Sequence, residues 1–153
     1  VFELIDAIGA CDRGRALAAV AALCDQRESA VGVVVMLARY IRQLTQVYAL
    51  RDGQVPRPGW APALGVPPFV VDKLIAQARR YRPAALARAG ELLAAADWAL
   101  KGYPDPLKAS VTNGGNLAAD VASTGPALKI LGRGLGERVL LERLAVELVQ
   151  LGQ

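Results

Sequence analysis

Apolar residues recur every three or four positions through most of this chain, and that spacing predicts helices. Phe2, Leu4, Ile5 and Ile8 form a short amphipathic turn or two, closed by Gly9. Asp12 is a good N-cap for a helix over 13–26 that puts Ala16, Leu17, Val20 and Leu23 or Cys24 on one face. Ser29 caps the longest expected helix, 30–52, whose apolar line is Val34, Leu37, Ala38, Ile41, Leu44, Thr45 and Tyr48. Gly53 supplies its C-terminal stop.

Residues 54–65, QVPRPGWAPALG, carry too many prolines and glycines for more than one helical turn, placed near Ala61 to Leu64. Pro67 and Pro68 then start a helix where a missing N–H costs nothing. Its expected buried face is Phe69, Val70, Leu74, Ile75 and Ala78, with Lys73, Gln77 and Arg80 left wet. Pro83 opens the next helix, 84–101, where Leu86, Ala89, Leu93, Ala96 and Leu100 face inward. Glycines and asparagines interrupt residues 103–135, predicting a mobile insertion. From Glu137 the steps Leu140, Leu144, Leu148 and Leu151 restore a closing helix. Only Ala127 to Leu131 could pass as a strand. The fold class read from this pattern is all-α, a bundle of five or six helices in a single domain.

At 153 residues, 54% of them hydrophobic and 21% charged, the chain suits one globular domain and not a disordered tail. Such a domain can bury about 68–70% of the surface its unfolded chain exposes. The longest uncharged apolar run, Ala30 to Ala38, stops at Arg39, far short of the roughly 20 residues that span a bilayer. No membrane partner is expected. The chain opens on Val1 in mid-pattern with no signal segment, so it reads as a fragment of something longer. Cys11 and Cys24 lack any metal or redox spacing and read as reduced thiols. There is no histidine, which removes the commonest general base and metal ligand.

Gly132, Gly134 and Gly136 precede a helix, the general layout of a phosphate cradle. Their spacing matches neither G-x-x-x-x-G-K-[ST] nor G-x-G-x-x-G, which favours a flexible linker into the last helix and no nucleotide cofactor. Lys73, Arg79, Arg80, Arg82 and Arg88 span two adjacent helices. Clustered cations of this kind suit a solvated face first, then a protein interface, and DNA phosphates least, since aromatics for base stacking are scarce at 5%. Glu91 with Asp97, and Glu142 with Glu147, fall on different helix faces and read as solvent-facing. Trp98 and Tyr48 sit within apolar stripes and read as core. No catalytic or metal-binding set emerges.

The segment 65–102, GVPPFVVDKLIAQARRYRPAALARAGELLAAADWALKG, adds a resemblance. Taken with FELIDAIG at 2–9, Leu37-Ala38-Arg39 with Arg42 and Leu44, and LERL at 141–144 with Glu147-Leu148, it resembles the delta subunit of the bacterial DNA polymerase III clamp loader. More narrowly, the likeness is to that subunit's C-terminal helical collar domain, covering 1–102 and 136–151. It implies a non-catalytic scaffold that joins a five-membered collar during cytoplasmic DNA replication. The implied partners are the ATPase subunits and delta-prime, met through helix faces. Arg39, Arg42, Lys73, Arg79 and Arg80 are the candidate interface residues. It also implies two ATPase-like domains before Val1, the first of which would contact the sliding clamp, leaving DNA contact indirect. Two features depart from the family: a proline-rich stretch at Pro56 to Pro62 replaces an acidic helical segment, and 103–135 reads as an insertion. The competing reading is an independent helical DNA-binding domain using Arg79, Arg80, Arg82 and Arg88.

Overall fold

The computed structural model describes residues 1–101 and 133–152. Seven helices occupy them: α1 Phe2–Gly9, α2 Arg13–Asp25, α3 Ala30–Asp52, α4 Trp60–Leu64, α5 Pro68–Ala78, α6 Pro83–Lys101 and α7 Arg133–Gln150. A 3-10 turn at Arg57–Gly59 leads into α4. No strand occurs among the described residues. The all-α class is as the periodicity requires, and α4 is the single turn expected within the proline-rich stretch. The candidate strand at 127–131 lies outside the described residues, as does most of the expected insertion.

The helix starts follow from side-chain capping. Asp12 accepts the Arg15 backbone N–H at 3.0 Å, and Ser29 accepts that of Gly32 at 3.3 Å. The ends follow a rule that the sequence conceals. Cys11, Arg27 and Gln54 adopt left-handed φ values of 57°, 54° and 51° just beyond α1, α2 and α3. Behind each one the next N–H turns back onto the helix: Asp12 to Ala7, Glu28 to Leu23 and Val55 to Leu50. The left-handed residue after α3 is therefore Gln54, while Gly53 keeps a right-handed φ of −77°.

α3 is the central element, packed by α6, α5 and α4, while α1, α2 and α7 form a second group joined to it through α6 and α7. One core runs through both groups. The expected inward residues of α6 and α7 largely hold, with Leu86, Ala89, Leu93 and Ala96, then Leu140, Leu144 and Leu148, all buried. On α3 the buried arc is Ala30, Val33, Val34, Leu37, Tyr40, Ile41, Leu44 and Val47. It is rotated from the expected line, so Ala38 and Thr45 face outward. On α5 the buried residues are Val71, Leu74 and Ala78, and Phe69 is 82% exposed rather than core. Residues two positions apart on a helix lie about 200° apart around its axis, so burying Val71 turns Phe69 out. Phe2 is also exposed, and Trp98 is a surface residue rather than a core one.

The last helix begins at Arg133, four residues earlier than expected. Gly134 and Gly136 thus belong to its first turns and not to a linker, because packing of α7 on α2, α6 and α1 outweighs the helix cost of glycine, about 1 kcal/mol each. Glu142 and Glu147 are half-buried rather than solvent-facing. Arg138 pairs with Glu142 at 2.9 Å, and one Glu147 oxygen is buried with no partner among the described residues.

A polar junction locks the two groups of helices together. Tyr81, in the α5–α6 turn, is fully buried and its hydroxyl reaches the carbonyls of Ile8 at 2.8 Å and Leu148 at 3.3 Å. The Tyr48 hydroxyl meets the carbonyls of Ala78 at 3.0 Å and Tyr81 at 2.5 Å. The Cys11 thiol points at the Gly152 carbonyl, 3.3 Å away. At Gly9, a Cβ would lie 2.5 Å from the Tyr40 hydroxyl and closer still to the Gln77 amide, so any side chain there would force both to shift. The Tyr40 hydroxyl itself is buried with no hydrogen-bond partner among the described residues.

Burial pushes both the Tyr40 and Tyr81 phenols above the ordinary tyrosine value of about 10. In the unfolded chain they ionise near pH 10, whereas in the folded chain they keep their protons. Their contribution to stability is thus complete below about pH 10 and is lost as pH rises beyond it. Melting temperature should fall above that pH, and Tyr40→Phe should flatten the fall. Parallel losses in the wild type and the variant would place the alkaline transition elsewhere.

Candidate partner interface

The five cations singled out in the sequence do not form one patch. Arg39 and Arg42, one turn apart on α3, both point to solvent and share two surface depressions. Arg39 makes a single long contact, 3.5 Å to the Gly65 carbonyl, and Arg42 makes no hydrogen bond or ion pair among the described residues. Lys73 pairs with Asp6 at 2.6 Å, tying α5 to α1. Arg80 donates to the Ala10 carbonyl at 2.6 Å, which ties the α5–α6 turn to the end of α1. Arg79 lies on another side, in a small hollow with Arg51, Arg57 and Trp60. Of the remaining cations in the DNA-binding reading, Arg82 is exposed and Arg88 lies 3.4 Å from Glu91.

Two larger depressions are apolar. One, about 630 Å³, lies between α1, α3 and α5 and is flanked by the exposed Phe2 and Phe69, with Ile5, Met36 and Val70 beneath. Of its two cations, Lys73 pairs with Asp6, and Arg39 lies at the margin it shares with the neighbouring depressions. The other, about 770 Å³, runs between α3 and α6 over Val34, Val35, Ala38, Ile41, Leu93 and Ala94, with Arg39 and Arg42 among its lining. Among the described residues, no cluster of carboxylates and thiols is arranged to hold a metal ion. No described helix is long and apolar enough to cross a membrane. Surfaces of this kind, apolar floors with charged margins, are suited to other helices.

The sequence matches the family DNA polymerase III delta subunit, C-terminal domain, over residues 1–104. The chain belongs to that family. No curated protein and no solved structure matches the chain.

The matched region of this delta C-terminal domain ends at 104, yet α7 at 133–150 completes its core. The residues that carried the resemblance serve largely to build the domain. Gln77 closes on Gly9, Arg80 holds Ala10, and Tyr81 spans Ile8 and Leu148. Sequence reasoning passed over Tyr40 and Gly90. Tyr40 sits between Arg39 and Ile41 on a helix whose apolar stripe was set one position away, so nothing local marks its hydroxyl as buried. Gly90 is an exposed glycine inside α6 with no described atom within 4 Å of an added Cβ, a feature that the apolar spacing of α6 masks.

Proposed function

We propose that this chain is a non-catalytic scaffold module of the DNA polymerase III clamp loader. In this reading it assembles the delta subunit with the ATPase subunits and delta-prime into the pentamer that loads the sliding clamp in the bacterial cytoplasm. The family match over 1–104 carries the proposal. The surface agrees with it, since large exposed hydrophobics and apolar grooves on a helical domain mark contacts with other proteins. A domain locked by the Tyr81 junction offers these faces already ordered, which lowers the entropy cost of docking. Its charged margins then select partner and register more than they add affinity.

The chain itself performs no chemistry in this account, and ATP turnover belongs to its partners. Immobilised on a resin, it should retain purified ATPase subunits and delta-prime, and should show no nucleotide affinity of its own by calorimetry. Failure to retain any loader subunit, together with DNA binding that weakens steeply with salt, would instead support an independent DNA-binding domain.

A further inference from the structure

The groove between α3 and α6 has three properties that together define its occupant. Its floor is aliphatic, and Val35 at its edge is 56% exposed, an unusual place for a β-branched residue on a helix. Ala87, Gly90 and Ala94 lie along its α6 side, and a Cβ built on Gly90 would meet nothing within 4 Å. An exposed glycine in a helix interior is unfavourable by itself, and no neighbour among the described residues explains this one. It leaves room for a backbone to come close. The cations are the third property. Arg39 and Arg42 stand on the α3 side without an acidic partner among the described residues, whereas Asp97 and Lys101 on α6 neutralise each other at 2.6 Å.

From this we infer that the α3–α6 groove receives one amphipathic helix of a neighbouring loader subunit, aliphatic on its buried face and acidic along the margin that meets Arg39 and Arg42. The inference rests on the scaffold reading and specifies the face and the partner chemistry. The stretch from Val35 to Thr45 is about 15 Å long, enough for roughly three turns of a packed helix. Nucleic acid fits poorly, because phosphates would lie over an aliphatic floor. A second copy of this chain fits poorly as well, since each carries a net charge of +4 and the groove margin is itself basic.

The test uses the whole chain and measures co-elution with purified ATPase subunits and delta-prime on size exclusion over a concentration series. Gly90→Leu fills the groove with a good helix former, and Arg42→Glu places a like charge against the acidic margin. Both should weaken assembly roughly tenfold or more, with thermal melts of the isolated chain shifted by no more than a few degrees. Arg13→Glu, exposed on α2 away from the groove, should assemble as the wild type does. If both groove variants assemble normally, the groove is not the docking face and the inference fails while the scaffold reading stands. If the wild type assembles with no loader subunit, the scaffold reading fails and takes the inference with it. A wild-type homodimer that the groove variants abolish would assign the groove to a second copy and overturn the inference.

Discussion

Tyr81→Ala should cost the domain about 3–5 kcal/mol, the range for truncating a large buried aromatic, and Tyr81→Phe about 1–3 kcal/mol. The first change opens a cavity where the α5–α6 turn, α1 and α7 converge, since Tyr81 is fully buried. The second keeps the ring and strips a donor from the Ile8 and Leu148 carbonyls. Tyr40→Phe provides the contrast. Its hydroxyl is buried without a partner among the described residues, so removing it should be neutral or stabilising. Urea unfolding of the three variants tests this order. If Tyr40→Phe proves as costly as Tyr81→Phe, the Tyr40 hydroxyl has a partner after all and the polar junction has a different centre.

The second large effect concerns α7. Ending the chain at residue 104, where the family match stops, should abolish cooperative unfolding. Leu140, Leu144 and Leu148 are fully buried against the rest of the domain, and Leu148 also supplies a carbonyl to Tyr81. Their loss would leave the inner faces of α1, α2 and α6 open to water. Even Leu144→Ala alone should cost about 2–5 kcal/mol. Circular dichroism and thermal melts would show the truncated chain as partly helical without a sharp transition. A sharp transition at the full-length temperature would mean that residues 1–104 form the complete folding unit.

Much of this fold was legible because local signals agreed with packing. Asp12 and Ser29 cap the helices they were expected to cap, and α3 runs over the residues its flanking signals delimit. Which face turns inward was less legible where apolar residues are consecutive. Val33, Val34 and Val35, like Phe69, Val70 and Val71, fit more than one helical stripe, and only contacts with α4, α5 and α6 choose between them. The start of α7 was misplaced for a related reason, since tertiary packing overcame the low helix propensity of Gly134 and Gly136. Left-handed caps at Cys11, Arg27 and Gln54 carry no glycine to announce them.

The candidate interface was legible in residue type and not in arrangement. Lys73 and Arg80 have the composition of a binding patch, yet their partners, Asp6 and the Ala10 carbonyl, lie about 70 positions earlier in the chain. No local pattern could reveal those uses. Arg39 and Arg42 keep their availability because α3 presents them to solvent at the border of an aliphatic groove. The groove itself depends on Gly90 and on Ala38, a residue whose spacing had pointed to the core.

The most direct measurement of the central claim is the mass of the assembly formed when this chain is mixed with the ATPase subunits and delta-prime, read by light scattering during size exclusion. A single heavier species containing the chain is expected, formed without DNA and persisting at moderate salt because apolar helix faces hold it. A chain that elutes at its monomer mass beside an unchanged loader complex would contradict the claim.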